Sequence, residues 1–324
     1  MLTGISPQAL WLAALLGVML DAWLGEPRRW HPLVGFGKFA NGVEAWLNQD
    51  LATPARTAMA RGMWAWLLLL APLTLAALAL TFLPGWLGVV WQALALYMAL
   101  GARSLRDHVM PIGRALAAGD LGHARALTAR IVSRDTDDAA PEALARAAIE
   151  STLENGNDAI FGALFWFAVA GAPGVVLFRL ANTLDAMWGY RTPQFLYFGR
   201  PAARIDDVLN WIPARLTALS YALLGNTRDA LQCWRAQAPA WSSPNAGPVM
   251  AAGAGSLGVL LGGPARYDGE WEARPPLGCG AVPSGAHIAA AWHLVSRALW
   301  LWLVLGGALA MFAASLAEVS PDLL

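Results

Sequence analysis

Four stretches of this chain run without a charged side chain for the ~20 residues that a helix needs to cross ~30 Å of hydrocarbon. They are residues 1–20, 62–102, 159–178 and 298–317, and Pro84-Gly85 divides the second into 63–83 and 86–102. Tryptophans gather near the ends of these runs (Trp11, Trp23, Trp64, Trp66, Trp86, Trp300 and Trp302), where an interfacial aromatic belt would sit. The first run has no basic residues ahead of it and no small-residue cleavage site, so it reads as an uncleaved span rather than a signal peptide. Charged residues make up 14% of the chain, against ~25% in a soluble domain. The chain lacks the polar surface for two soluble domains, although its length alone would allow them.

Charge placement sets the expected orientation. Arg28, Arg29, Lys38, Arg56 and Arg61 lie between 21 and 61, seven arginines lie between 103 and 158, and the remaining ten lie between 179 and 297. Spans at 1–20, 63–83, 86–102 and 298–317 put all 22 basic residues on one side, the cytoplasmic face of the cell (inner) membrane. This scheme requires 159–178 not to cross. Its Gly171-Ala172-Pro173-Gly174 suits a re-entrant or membrane-buried helical hairpin, because broken backbone at membrane depth needs protein or a cavity around it. A true crossing there, paired with another in 246–265, is the alternative.

The expected fold is all-α, a polytopic integral membrane protein with a helical cytoplasmic region packed on the membrane-facing helices. Residues 1–102 supply N-terminal membrane helices with a cytoplasmic loop at 21–62, residues 103–297 the mainly cytoplasmic region, and 298–317 a C-terminal membrane helix. No run alternates as a half-buried strand would. Residues 105–130 read as helix with short interruptions at Gly113 and Gly119. Ser133-Arg134-Asp135-Thr136-Asp137-Asp138 offers N-caps ahead of Pro141 and a helix over 142–155. The Pro- and Gly-rich stretches at 239–248 and 262–285 read as structured loops between short helices.

Several functions are excluded. Equal numbers of basic and acidic residues, 22 of each, leave no case for nucleic acid as a partner. Cys233 and Cys279 are too few for a disulfide framework or a cysteine-rich metal site. Lys38 is the sole lysine and has no motif around it for a pyridoxal phosphate, and Gly35-Phe36-Gly37-Lys38 lacks phosphate-loop spacing. Neither pyridoxal phosphate nor haem is expected. Gly253-Ala254-Gly255-Ser256-Leu257-Gly258 fits the dinucleotide pattern by letter, but no strand precedes it. Close helix packing explains it better, and Gly258 to Gly262 has the spacing for that. His31 has no metal-ligand partner at useful spacing, so a zinc site is not expected.

The densest polar constellation runs from Glu150-Ser151-Thr152-Leu153-Glu154-Asn155 to Asp158. Glu150 and Glu154 share a helix face, and Asp158 continues it if the helix survives Gly156. Like charges at that spacing repel unless a cation or an arginine sits against them. Arg146, one turn earlier, could serve, and Mg²⁺ is a cation that such oxygen ligands favour. A solvated helix end is the plain alternative, weakened because these acids lie directly before an apolar run. Asn182 and Asp185 fall three apart on one face after the apolar run, and Arg204, Asp206, Asp207, Asn210 and Arg215 follow. Simple pairing of Arg204 with Asp207 would account for part of that set. Arginines nevertheless suit bidentate phosphate binding.

Ordered along the chain, these pieces resemble the CobD/CbiB family of cobalamin-biosynthesis membrane proteins, the adenosylcobinamide-phosphate synthases. The fragments that carry the resemblance are Leu20-Asp21 with Gly25-Glu26-Pro27 and His31-Pro32; Ser133-Arg134-Asp135-Thr136; Ala148-Ile149-Glu150-Ser151 with Glu154-Asn155 and Asp158; and Asn182-Thr183-Leu184-Asp185 with Gly189-Tyr190. Tyr197-Phe198-Gly199, Ala203-Arg204-Ile205-Asp206-Asp207 with Asn210, Ile212-Pro213-Ala214-Arg215, Ser243-Pro244-Asn245-Ala246-Gly247 and Gly262-Gly263-Pro264 complete it. Each is moderately specific, and their order and spacing make the match. The sequence departs from the family pattern after Asp158, at Ala159 and Gly162-Ala163.

The resemblance implies amide coupling of aminopropanol or its O-phosphate to the free carboxylate of a corrinoid, adenosylcobyric acid, with ATP and Mg²⁺. It implies Glu150, Glu154 and Asp158 as the Mg²⁺ ligands, with Asp135, Glu150, Glu154, Asp185, Asp206 and Asp207 as candidate catalytic groups. Arg134, Arg204 and Arg215 would clamp phosphoryl oxygens, and Asn182, Tyr190 and Asn245 would meet the corrin's amide rim. Asp21, His31, Thr136, Asn155 and Asn210 complete the expected substrate-binding set. The expected partners are the corrinoid, the amine, the lipid bilayer and a possible complex with other enzymes of the pathway. A corrinoid transporter or scaffold without catalysis is the competing expectation. It would place polar residues inside the spans, and the spans as read from sequence hold almost none.

Overall fold

The structure, a computed structural model, describes residues 5–27 and 32–319. Residues 1–101, 162–210 and 303–324 form one compact unit, and residues 102–161 and 211–302 form another. It is overwhelmingly helical, as the sequence implies, and four helices are long and apolar enough to cross a membrane: Pro7–Leu24, Ala55–Leu80, Pro141–Trp188 and Gly285–Leu316.

In the first unit, α1 (Pro7–Leu24), α2 (Pro32–Leu47), α3 (Ala55–Leu80) and α4 (Trp86–Ala99) follow one another. Gly17 of α1 lets the backbone of α4 approach closely, and a Cβ there would stand 3.0 Å from the Ala93 carbonyl oxygen. Close approach through small residues is how apolar helices associate where burial from water supplies no force. The Trp91 indole donates to the Ala77 carbonyl at 3.2 Å, fixing α4 on α3 across the Pro84-Gly85 turn. The expected span at 86–102 is corrected here. Helix α4 has 14 residues, or about 21 Å at 1.5 Å per residue, because Leu100 is extended and ends it.

Residues 162–188 do not form one straight helix. In α8 (Gly162–Trp188) Gly171 leaves helical geometry with φ 64° and ψ −146°. A Cβ on Gly162 would lie 2.2 Å from the Phe178 ring, whereas 16 residues of straight helix separate ends by about 24 Å. The chain has turned back on itself. The reversal strands the backbone N–H of Ala172, and the fully buried Gln92 of α4 accepts from it at 2.6 Å. The return limb packs Leu180, Leu184 and Trp188 on Leu69 and Leu70 of α3 and Phe36 of α2. At the turn, Gly174→Ala would push a methyl to 2.4 Å from the Trp166 carbonyl. A loss of about 1–3 kcal/mol is expected, read as a lower thermal midpoint in detergent.

The second unit holds α5 (Ala102–Ala117), α6 (Leu121–Thr128), α7 (Pro141–Gly156), a π-helical turn (Asn157–Phe161), α10 (Thr227–Gln237) and α11 (Ala246–Leu257). Helices α9 (Arg200–Leu224) and α12 (Gly285–Val319) contribute to both units. Gly119, at φ 73°, breaks α5 from α6 as expected, while Gly113 sits inside α5 without interrupting it. Ala140, not a side chain from 133–138, occupies the N-cap of α7.

Two expectations are corrected here. The 262–285 stretch carries two short antiparallel pairs, β1 (Leu260–Gly262) with β4 (Pro276–Gly278) and β2 (Ala265–Tyr267) with β3 (Glu270–Glu272). Asp268 (φ 48°) and Gly269 (φ 85°) make the tight β2–β3 turn, the left-handed pair that twists with its strands. Gly258 is the left-handed C-cap of α11, so it and Gly262 do not share a helix. The close-packing glycines are Gly253, against Leu153, and Gly255, against the Asp229 backbone. With 12 residues, α11 is also too short to pair with a second crossing.

Candidate functional site

Helix α7 is buried over most of its length, and its apolar residues carry Glu150 inside with them, 3% exposed. A buried carboxylate needs compensation by charge and hydrogen bonds. Glu150 has both. The Arg134 guanidinium donates to Oε2, Arg274 donates through Nη1 to Oε2 at 3.1 Å and Nη2 to Oε1 at 3.3 Å, and the Gly262 N–H donates to Oε1 at 2.7 Å. Arg274 is itself fixed by the Gly263 carbonyl at 3.0 Å and lies 5.4 Å over Trp241. The countercharge that the Glu150–Glu154 spacing demands is therefore supplied by Arg134 and Arg274, not by Arg146.

In this arrangement Glu150 is committed to guanidinium groups and a backbone N–H. Both Glu150 oxygens face positive guanidinium groups, which repel a second cation. The helix continues past Gly156 as a π-helical turn over Asn157–Phe161, which contains Asp158. Asp158 accepts from Asn157 Nδ2 at 2.9 Å. Among the described residues no three His, Cys, Asp or Glu side chains gather as a metal site.

Beside this hub lies a cavity of about 640 Å³, between residues 134–147 and the β2–β3 hairpin. Arg134, Asp135 and Thr136 line it, joined by three residues that sequence reading did not place there: Arg146, Arg266 and Trp271. Asp135 accepts from the Gly269 N–H at 2.8 Å and faces Arg266 Nε at 3.7 Å, so it ties the hairpin turn to the segment before α7. Thr136 is buried and donates to the Arg125 carbonyl at 3.3 Å. Arg146 differs from its neighbours, because its Nε is buried without a hydrogen-bond partner. The Asp268-Gly269 dipeptide was the available sequence signal for this wall of the cavity.

A second polar cluster lies in the first unit, where α8 ends and α9 begins. Asp206, 8% exposed, accepts from Asn182 Nδ2 at 3.4 Å on Oδ1 and from Asn210 Nδ2 at 3.1 Å on Oδ2. Asp207 and Asp185 lie close enough to feel each other's charge. Burial pushes the Asp207 carboxyl above its ordinary value. Five residues that the sequence marked, Asn182, Asp206, Asn210 and the Asp185–Asp207 pair beside them, are thus brought together. The remaining expected residues are scattered. Arg215 donates to Asn245 Oδ1 at 2.7 Å and to the Pro244 carbonyl at 2.9 Å, and stacks 4.5 Å over Trp211. It holds the loop before α11, and burial lowers its pKa somewhat. Arg204 and Tyr190 are exposed, Asp21 is buried in α1, Glu154 is half-buried, and Asn155 donates to the Ser151 carbonyl of its own helix at 2.9 Å. His31 lies outside the described residues.

The family model described as CobD/Cbib protein matches residues 14–295. A cobalamin biosynthesis protein CobD of Chromobacterium violaceum is 56% identical over 298 residues, covering 91% of this chain and 95% of the relative. One from Stutzerimonas stutzeri is 56% identical over 296 residues, covering 91% and 96%. One from Mycobacterium tuberculosis is 40% identical over 284 residues, covering 86% and 88%. No solved structure matches the chain. A family match of this extent, together with the apolar helices, means that the chain belongs to the CobD/CbiB family of cobalamin-biosynthesis proteins and is a membrane protein of that family.

Proposed function

We propose that this chain is an amide-forming ligase that couples aminopropanol, or its O-phosphate, to the free carboxylate of adenosylcobyric acid. Amide formation from a carboxylate and an amine is uphill in water, so the carboxylate needs activation. In this reading ATP phosphorylates it, the amine displaces phosphate from the acyl phosphate, and ADP and phosphate leave. The chemistry would take place at the cytoplasmic face of the inner membrane. Mg²⁺ would arrive on the nucleotide's phosphates. No step is assigned to a metal on Glu150, whose oxygens are committed to arginines.

One observation carries the reading beyond family membership, namely the buried, unpartnered Nε of Arg146 in the 640 Å³ cavity. A buried donor without a partner costs about 1–3 kcal/mol and is expected where a ligand supplies the acceptor. Phosphate oxygens suit a guanidinium well, and the volume falls within the ~300–1,000 Å³ of small-molecule sites. Arg134 adds to the positive field, since Glu150 can neutralise only one of its two arginines. Exposed Trp271 gives the rim an aromatic face.

The test is product formation by the detergent-purified protein given adenosylcobyric acid, aminopropanol phosphate, ATP and Mg²⁺, with each omitted in turn. A corrinoid heavier by the aminopropanol phosphate unit, formed only when ATP is present, is expected. Corrinoid binding without product would instead assign the chain a carrier or scaffold role. Arg146→Gln is expected to raise the KM for the phosphorylated substrate about 10- to 100-fold, the equivalent of one charge-assisted hydrogen bond of ~1.5–3 kcal/mol. Its kcat should change little, and an unchanged KM would remove Arg146 from the site.

A further inference from the structure

Helix α9 is amphipathic in the reverse sense. Asp206, Asn210, Thr217 and Ser220 are 8%, 1%, 0% and 6% exposed, whereas Val208, Ile212, Leu219 and Leu223 are 73%, 49%, 43% and 60% exposed. At 3.6 residues per turn, the four apolar side chains fall within about 60° of one another, and the four polar ones lie on the opposite side. The polar side is satisfied inside the protein. Asp206 takes the Asn182 and Asn210 amides, Thr217 donates to Asn157 Oδ1 at 3.0 Å, and the Ser220 hydroxyl accepts from the Trp302 indole at 2.9 Å.

In water this arrangement is unfavourable, because each large apolar side chain left exposed forgoes about 1.5–3 kcal/mol of burial. In hydrocarbon the same face costs nothing, and polar side chains turned inward are what a membrane environment requires. The sequence conceals this, since the inward polar residues lower the helix's hydropathy and keep it out of the set of four apolar spans. Arg204, Trp211 and Arg215 line one edge of the apolar stripe, within about 40° of one another. Tryptophan and arginine at the margin of an apolar face mark the headgroup level.

We infer that the outer face of α9 is a bilayer-contacting surface, with the Val208–Ile212–Leu219–Leu223 stripe against acyl chains and the Arg204–Trp211–Arg215 edge at the lipid headgroups. The occupant is the membrane that already solvates the apolar helices. The Asp206 cluster then stands one helix thickness, about 10 Å, from the acyl chains.

The test uses the full chain with Cys233 and Cys279 replaced by alanine and single nitroxide-labelled cysteines at Val208, Ile212, Leu219 and Leu223, with exposed Arg228 of α10 as the aqueous reference. Each is reconstituted in phosphatidylcholine–phosphatidylglycerol vesicles. Oxygen is expected to relax the four stripe labels more than a water-soluble nickel chelate does, with the reverse at Arg228. Stripe labels that favour the nickel chelate would overturn the assignment, as would labels shielded from both agents, which would mean that a second copy or another protein covers the face. Should the labelled variants fail to fold, the unsubstituted protein can be photolabelled with a bilayer-partitioned apolar diazirine and digested. Adducts on residues 208–223 support the inference, and adducts confined to the four apolar spans refute it.

Discussion

Glu150→Gln is expected to destabilise the protein by about 3–5 kcal/mol, the usual consequence of removing one partner from a buried ion pair. The residue is 3% exposed and compensates two guanidinium groups, those of Arg134 and Arg274. Without its charge, two largely buried positive groups lose the carboxylate that offsets them. The measurement is thermal unfolding in detergent, followed alongside product formation. A second variant separates structure from chemistry. Glu150→Gln combined with Arg274→Gln removes the stranded charge and should recover part of the lost stability, whereas a carboxylate needed for catalysis would give no recovery of turnover. Glu150→Gln with an unchanged thermal midpoint and no product would overturn the structural role and restore a chemical one.

Glu150 also shows what a sequence can and cannot disclose. The Glu150–Glu154 spacing announces an unbalanced pair of charges that something must offset, and that inference is sound. What offsets it is Arg274, 124 residues away, brought in by a chain reversal of three-residue strands too short to show an alternating pattern. Local signals with a physical cause were legible. The Gly171-Ala172-Pro173-Gly174 break became a hairpin whose return limb is capped by Gln92. Asp268-Gly269 held the code for a tight turn, but strands of three residues gave it no context. The π-helical turn at Asn157–Phe161 was unreadable, because no residue type demands one. Helix α9 escaped for the opposite reason. Its polar residues look like a soluble helix's surface until the structure shows that they are the inside.

Asp207→Asn is expected to lower the rate of amide formation by about 10²–10⁴-fold, the range for loss of a general base, while leaving the thermal midpoint near that of the parent. The attacking amine is an ammonium at neutral pH and must lose a proton. Of the three carboxylates at the start of α9 and the end of α8, Asp206 is the least suited to receive it, because its two oxygens are held by Asn182 and Asn210. Asp206 is therefore a positioning residue, and Asp206→Asn should cost stability as well as rate, since an amide in its place sets donor against donor. Asp207 is half-buried, and burial raises its pKa above the ordinary aspartate value, ~3.9. A base works only when unprotonated, so turnover must fall as pH drops through that raised value. The acidic limb of the kcat/KM profile should consequently lie above the ordinary aspartate range. Asp185 shares the same field, so the limb belongs to the pair rather than to one residue. Asp207→Asn should move the limb as well as lower the rate. A full rate with an unmoved limb would take the base away from α9 and leave the polar cluster a purely structural part of the fold.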